Sequence, residues 1–135
     1  MGMKSRTKGK GGEREISALL RDLTGHEVRR RVRQREGDSD LEGIPGWCIE
    51  VKRHAKATRA DVSRWWSQAA AQAARDGGQP VLFYRQDRDE WRAVWRLAVT
   101  LRGPFYWDAY AWTCEGTPDA WATVFRETME VSRND

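Results

Sequence analysis

The sequence of 135 residues has little cysteine and no long hydrophobic run. Its two cysteines, Cys48 and Cys114, lie far apart without the paired spacing of zinc ligands, so we interpret them as reduced thiols without a chemical role. No apolar segment is long enough to span a membrane, and the basic N-terminus does not lead into the apolar core of a signal peptide. These absences predict a cytoplasmic protein with no membrane partner.

Lysine is also scarce away from the N-terminus, because only Lys52 and Lys56 follow Lys10. Lysine and arginine together number 24 against 20 acidic residues, a net charge of only +4, but the basic residues cluster at the start and around Arg29–Arg35. Such local density attracts polyanions. With 39% hydrophobic residues and eight tryptophans, the composition predicts one folded domain over residues 1–135.

The N-terminal residues 1–12 are rich in glycine and lysine and show no apolar period. We interpret them as a flexible basic arm in which Lys8 and Lys10 contact phosphates, or alternatively as a frayed terminus without a role. Apolar residues at helical spacing then predict an amphipathic helix over Glu13–Thr24, which Gly25 ends.

Alternation over His26–Arg33 predicts a strand with Val28 and Val32 on one side and arginines on the other. An all-arginine face suits a polyanion, although it could equally be a solvated surface. The candidate phosphate contacts are, besides the two arm lysines, Arg29, Arg31, Arg33, Arg35 and Arg53.

The remaining pattern predicts an α/β fold with a small mixed sheet flanked by helices. The glycine-rich segment 34–46 is a loop or a tight hairpin that leads into a strand, and a helix capped by Thr58 follows and ends at Gly77. Two further strands form a hairpin. The C-terminal elaboration, residues 97–135, is predicted to contain a short strand and a last helix. The predicted strands are Trp47–Arg53, Pro80–Arg85, Glu90–Arg96 and Val99–Leu101, and the last helix runs from Pro118 to about Glu130.

Within the first of those strands, Cys48, Glu50 and Lys52 share one face because side chains alternate. Charges on a half-buried strand need a partner such as a metal ion or a phosphate. An isolated Glu-x-Lys triplet is most simply a surface ion pair. Here it follows Asp40 in a glycine-containing turn and a helix that begins with Glu13, which together favour a catalytic site.

This arrangement resembles the PD-(D/E)XK nuclease superfamily. The resemblance implies a restriction-endonuclease-like core and a Mg²⁺ site, with Mn²⁺ as a substitute, built from Asp40, Glu50, the Val51 carbonyl and Glu13. Magnesium prefers oxygen ligands of this kind. Lys52 would orient the attacking water and neutralise developing negative charge.

Gly12-Glu13-Arg14-Glu15, the arginine-rich strand, Gly37-Asp38-Ser39-Asp40 and Trp47 to Arg53 together resemble archaeal-type Holliday-junction resolvases and related small phage nucleases. That likeness covers about the first two thirds of the chain. It implies a homodimer in the cytoplasm of a cell or phage host that cuts four-way DNA junctions by symmetric nicking. Relatives often place a helical glutamine near the metal; Gln68 is our choice, with Gln72 as the alternative.

The sequence departs from the resolvase pattern in places. Ser39 replaces the proline usual before the aspartate, and Arg33-Gln34-Arg35-Glu36 replaces the usual Gly-Ser loop. Asp38 or Glu42 could take the place of Asp40 if the turn is shifted.

Other functions stay open. The chain could be a related endonuclease that acts on flaps, branched ends or duplex DNA, or a DNA-binding module of the same fold that does not cut. The tryptophans could stack on unpaired bases, but core packing is the simpler interpretation for Trp65, Trp66, Trp91 and Trp95. His54 continues the face of Glu50 and Lys52, where a surface histidine is the simpler interpretation.

Overall fold

The computed structural model describes residues 3–31, 40–101 and 107–134, and it describes side chains within 11–31, 40–101 and 107–129. The elements of this part of the chain, in order, are α1 (Met3–Thr24), β1 (Arg29–Arg30), β2 (Leu41–Glu42), β3 (Trp47–His54), α2 (Arg59–Asp76), β4 (Gln79–Gln86), β5 (Arg92–Arg96), α3 (Leu97–Leu101), a 3₁₀ helix (Tyr110–Trp112), β6 (Thr113–Gly116) and α4 (Pro118–Asn134).

The strands of the described chain form one sheet in the order β1-β2-β3-β4-β5-β6. Strands β3 and β4 are parallel, and every other neighbouring pair is antiparallel. Parallel neighbours need a crossover, and α2 supplies it. The predicted mixed sheet flanked by helices is therefore confirmed.

Each face of the sheet carries its own hydrophobic layer. On one face, α1 and α4 cover alternate strand residues such as Ile49 and Phe83, with Trp121 fully buried among them. On the other face, α2 packs Trp66 against Leu82 and neighbouring strand residues. Alternation in the strands thus sends one set of side chains to each layer. Trp65, Trp66, Trp91 and Trp95 are all buried, which confirms their predicted packing role.

Helix α2 begins and ends where the sequence predicts. The Thr58 hydroxyl accepts a hydrogen bond from the Asp61 backbone N–H, and the Asp61 carboxylate accepts one from the Thr58 N–H, which is a complete capping box. These bonds to the charged form lower the pKa of Asp61 to about 2. Gly77 ends the helix in the left-handed conformation, with φ of 83°.

The segment before β3, predicted as a loop or a tight hairpin, contains the short strand β2, which pairs antiparallel with β3. A glycine is required at position 43, where φ is +115° and a Cβ atom would lie 2.4 Å from the Glu27 carbonyl oxygen. This close approach brings β2 alongside β1, where Arg29 pairs with Glu42 and Arg30 with Leu41. Two-residue strands carry no periodic signal, which is why the sequence left loop and hairpin as alternatives here.

Two predicted boundaries are wrong. Helix α1 begins at Met3 rather than Glu13, so most of the predicted flexible arm is helical. Glycines in the arm suggested a break, but Gly12 is buried against Arg53 and Trp91, where a larger residue would not fit as closely. Val99–Leu101 belongs to helix α3 instead of a strand, because Ala98 and Val99 are buried on one side of a single helical turn.

In the described part of the chain, none of the helices is both long and apolar enough to cross a bilayer.

Candidate active site

Asp40 and Glu50 form the centre of the site. Glu50 points from β3 towards the α2 side of the sheet and is only 8% exposed, and Asp40 immediately precedes β2, the neighbour of β3. The Asp40 Oδ2 atom accepts a hydrogen bond of 2.8 Å from the Val51 backbone N–H. The residue after Glu50 thus holds the Asp40 carboxylate at the strand.

The two carboxyl groups perturb each other. Burial, followed by the negative charge of Asp40, raises the pKa of Glu50 to about 8. Burial also raises the pKa of Asp40, against the opposing effects of the Val51 N–H and the Lys52 ammonium. A hydrogen bond between the carboxyl groups favours the proton on Glu50. Such paired, buried carboxyl groups are typical of sites that bind a cation or transfer protons.

Lys52 lies on the same face of β3 as Glu50, as predicted from strand alternation. Its Nζ atom is 3.7 Å from Glu50 Oε1, and the Lys52 side chain is 25% exposed. The ammonium therefore contacts the Glu50 carboxyl group. It also remains accessible from the solvent side, from which a phosphate group would approach.

Glu13 forms an ion pair with Arg30 at the edge of this site, and Arg30 was not among the predicted site residues. Glu13 Oε2 is 2.6 Å from Arg30 Nε, and the positive charge of Arg30 also lowers the pKa of Asp40. Arg30 therefore lies between Glu13 and Asp40. In the strand pattern Arg30 shares a side with Val28, and that alternation could have identified it as the arginine turned towards the protein.

The predicted metal ligands only partly come together. Among the described residues, no group of three His, Cys, Asp or Glu side chains is arranged to hold a metal ion. Asp40 and Glu50 are adjacent and the Val51 N–H donates to Asp40, but Glu13 forms its ion pair with Arg30. Of the alternatives to Asp40, Glu42 turns to Arg29 and Arg31, and Asp38 lies outside the described residues.

The predicted helical glutamine, Gln68, is exposed to solvent, whereas Gln72 is only 5% exposed. Helical geometry places Gln72 on the same side of α2 as Trp65, whose ring stacks on His54 of β3 at 4.7 Å. The side-chain nitrogen of Gln72 has no hydrogen-bond partner among the described residues. The structure thus favours Gln72 over Gln68 as the glutamine that faces the sheet, because early position in the helix does not determine which side packs inward.

The three candidate phosphate contacts whose side chains are described are each near a carboxylate. Arg29 Nε is 3.2 Å from Glu42 and Arg31 Nε is 3.9 Å from it, so one acidic residue offsets charge on both arginines. Arg53 turns to Glu15, 3.4 Å away, which also pairs with Arg85. The side chains of Lys8 and Lys10 are not described, and Arg33 and Arg35 lie outside the described residues.

Fold and site together define the class: a mixed sheet with Asp40 beside Glu50-x-Lys52 is the arrangement of PD-(D/E)XK nucleases. A family model described as "Phage putative PDDEXK endonuclease" matches residues 4–103. The chain belongs to this phage endonuclease family.

The chain is also similar to a phage protein and to a solved structure. It is 27% identical over 112 residues to "Protein D14" of Escherichia phage T5, covering 67% of this chain and 70% of that protein. Among solved structures, it is similar to Archaeoglobus fulgidus Hjc, a Holliday junction resolvase from an archaeal hyperthermophile, at 19% identity and a TM-score of 0.47. That similarity covers 64% of this chain and 70% of Hjc.

Proposed function

We propose that this protein is a metal-dependent, structure-selective DNA endonuclease that nicks four-way junctions symmetrically as a homodimer. It acts in the cytoplasm of the cell or phage host, with Mg²⁺ as its cofactor or Mn²⁺ in its place. The observation that carries the proposal is the placement of Glu50 and Lys52 beside Asp40, with the Lys52 ammonium 3.7 Å from the Glu50 carboxylate.

The residues present suit a hard divalent cation. Asp40 and Glu50 are two buried carboxyl groups whose pKa values are raised chiefly by burial, and the charge of Asp40 adds repulsion at Glu50. A cation between them would relieve that repulsion. Carboxylate and carbonyl oxygens are the ligands that Mg²⁺ prefers, and Mg²⁺ commonly uses only one or two protein carboxylates and fills its other positions with water and substrate phosphate.

Asp40 and Glu50 would hold the ion, with the Val51 carbonyl and Glu13 as further candidate oxygen donors. When bound, such an ion supplies positive charge at the scissile phosphate and makes water more acidic. The Val51 N–H keeps the Asp40 carboxylate oriented. The Lys52 ammonium orients the attacking water and neutralises charge that develops on the phosphate.

Selectivity for junctions is proposed from the sequence resemblance to resolvases. Symmetric nicking of a four-way junction requires two active sites related by two-fold symmetry, and a homodimer provides them. An endonuclease of the same family acting on flaps, branched ends or duplex DNA is the second candidate. It is favoured by the departure from the resolvase pattern in the segment before Asp40.

The test compares a labelled four-way junction with a linear duplex of matching sequence, each with Mg²⁺ or EDTA. Symmetric cuts confined to the junction and dependent on Mg²⁺ support the proposal, whereas cutting of both substrates supports the more general endonuclease. Binding without cleavage by the wild-type protein would leave only a DNA-binding module.

Single substitutions test which residues are needed for DNA cleavage. Lys52→Ala and Glu50→Ala are each expected to lower the cleavage rate by at least about a hundred-fold while junction binding in EDTA stays largely intact. Lys56→Ala is the matched control, because Lys56 is an exposed lysine nearby that stands outside the site. Wild-type cleavage by the Lys52→Ala protein would show that the site has been wrongly assigned.

A further inference from the structure

Two tryptophans outside the active site form a surface that the proposed chemistry does not use. The rings of Trp107 and Trp112 lie with their centroids 5.2 Å apart and their planes at 37°. Trp112 is 50% exposed and, with Leu101, is one of the large hydrophobic side chains that the described chain leaves exposed. A single exposed apolar residue is ordinary on a protein surface, so exposure of Trp112 alone does not indicate a binding surface.

The backbone that carries this pair is firmly anchored. The carbonyl oxygen of Asp108 accepts a 2.6 Å hydrogen bond from the indole of Trp66, which is fully buried. The Asp108 carboxylate lies 2.6 Å from the guanidinium of Arg96, whose side chain is only 9% exposed. Arg96 also donates to Gln79. A buried arginine and a buried tryptophan thus fix the segment between the partly exposed Trp107 ring and the exposed Trp112 ring.

The Trp112 end of the segment is equally ordered. The Trp112 N–H donates to the Ala109 carbonyl at 2.8 Å, and the Thr113 hydroxyl donates to the Tyr110 carbonyl at 2.7 Å before β6 begins. The structure therefore presents the Trp112 ring on a fixed backbone. Holding a large aromatic side chain half exposed in this way forgoes the stabilisation that its burial would provide.

The Trp107–Trp112 pair lies on the same side of the sheet as the active site. Asp108 contacts Trp66 of α2, and α2 covers the face towards which Glu50 and Lys52 point. Strand β6, which follows Trp112 directly, is three strands from β3, a lateral distance of about 15 Å. This corresponds to about four base-pair rises of duplex DNA.

Helix α2 lies between the two places and presents arginines to solvent. Arg59, Arg64 and Arg75 are exposed along it, and Arg64 is paired with Asp61. Burial raises the pKa of Tyr110, and the charge of nearby Arg59 opposes that rise. The carboxylates near the tryptophans are already engaged. Asp108 pairs with Arg96, and Glu115 accepts a hydrogen bond from Tyr84 and lies 3.8 Å from Arg92.

We propose that Trp112, supported by Trp107, is a stacking surface for an unpaired nucleobase of a DNA strand whose phosphates cross α2. The proposal rests on the proposed function, since it takes DNA as the substrate. Inside a duplex both faces of a base are covered by its neighbours, so only an unpaired base or an open end offers a face to tryptophan. The surface therefore supplies a preference for interrupted or branched DNA over continuous duplex.

The test uses EDTA, so that binding is measured without cleavage. The probes are a duplex with a short single-stranded gap that contains 2-aminopurine and the same duplex fully paired. Wild-type protein is expected to bind the gapped probe more tightly and to quench its 2-aminopurine fluorescence. Trp112→Leu, which keeps an apolar side chain but cannot stack as an aromatic ring does, is expected to lose about ten-fold of that preference, together with the quenching.

Two further variants serve as controls. Trp112→Phe is expected to retain most of the preference, because it keeps an aromatic face. Leu101→Ala removes the other large exposed hydrophobic side chain and is expected to bind both probes as the wild type does. Far-ultraviolet circular dichroism and thermal melting of each variant show whether it is folded.

The outcomes separate this proposal from the proposed function. Quenching by a wild-type protein that cuts no DNA in Mg²⁺ would contradict the nuclease proposal alone. A protein that cuts junctions but whose Trp112→Leu variant keeps the full gap preference would overturn the stacking surface alone. A Trp112→Leu variant that self-associates less in sedimentation velocity, with its gap preference unchanged, would identify the surface as a contact between protein copies and also overturn the proposal.

Discussion

At the scale of single residues, the active site holds two carboxyl groups in an energetically unfavourable arrangement. Asp40 and Glu50 are close together and largely buried, and the pKa of Glu50 is raised to about 8 by burial and by the charge of Asp40. Groups arranged to hold a cation are destabilising when the cation is absent. Function and stability should therefore conflict at Glu50.

The conflict predicts a specific pH dependence for the metal-free protein. Because the pKa of Glu50 is raised in the folded state, the folded protein binds more protons than the unfolded chain between about pH 4.5 and about pH 8. Its free energy of unfolding should therefore fall as the pH rises through this window. Glu50→Gln carries no charge at any pH, so its stability at pH 8 should exceed that of the wild type by on the order of 2–4 kcal/mol.

Urea denaturation in EDTA at pH 5 and pH 8 measures this difference. Glu127→Gln is the control, because it removes an exposed carboxylate on α4 and should leave the pH dependence unchanged. Added Mg²⁺ should stabilise the wild type at pH 8 and have little effect on Glu50→Gln. Equal stabilities of Glu50→Gln and wild type at pH 8 would mean that Glu50 is not a strained, buried acid.

At the scale of secondary-structure elements, the contact of α1 with the sheet decides where Glu13 lies. A Cβ atom on Gly12 would be 3.1 Å from the Arg53 Cβ and 3.5 Å from the Trp91 ring. One residue earlier, a Cβ atom on Gly11 would meet only the mobile end of Arg53, at 3.8 Å. The two neighbouring glycines are thus equally poor helix formers, but only Gly12 is required by packing.

This contrast predicts opposite effects. Gly11→Ala should stabilise the protein by up to about 1 kcal/mol through helix propensity. Gly12→Leu should destabilise it by about 1–3 kcal/mol through overpacking, and it should also slow cleavage because α1 is pushed away from the sheet and takes Glu13 with it. Thermal melts and junction cleavage rates of the two variants check both parts. Similar behaviour of the two substitutions would show that α1 does not pack closely here.

Elements with a strong periodic signal could be predicted from the sequence, and short or asymmetric ones could not. Strand β3 and helix α2 combine a clear apolar period with caps, and Thr58 and Gly77 are where the sequence places them. Helix α3 is a single turn whose apolar residues fit a strand equally well. Strand β2 exists because Gly43 lets the backbone approach Glu27, a tertiary contact that no local pattern records.

The candidate site shows the same division. Strand alternation correctly puts Glu50 and Lys52 on one face, because it depends only on local geometry. The choice between Gln68 and Gln72 depended on the rotation of α2 about its axis, which is determined by the packing of Trp65 and Trp66. Alternation also puts Arg30 on the side of Val28, but its ion pair with Glu13 depends on where α1 packs, which no local pattern records.

At the scale of the whole molecule, several arginines are near carboxylates. They are therefore less available to bind DNA than the net charge of +4 suggests. Glu42 lies near both Arg29 and Arg31, and Glu15 pairs with Arg53 and Arg85. Arg29 is 74% exposed, and exposed ion pairs of this kind are weak, so a phosphate could replace the carboxylate at little cost. Glu42 would then act as a competitor that moderates non-specific binding.

Removing that competitor should strengthen binding to any DNA. Glu42→Gln is expected to lower the dissociation constant for plain duplex about two- to five-fold at low salt, and the gain should vanish at high salt, where charges are screened. Glu127→Gln raises the net charge by the same amount but removes an exposed carboxylate of α4, whereas Glu42 is the one near Arg29 and Arg31, so it should change duplex binding much less. Fluorescence anisotropy over a salt series measures both variants. Equal gains from the two substitutions would show that the protein responds to its overall charge, and that Arg29 and Arg31 are not a defined phosphate-binding surface.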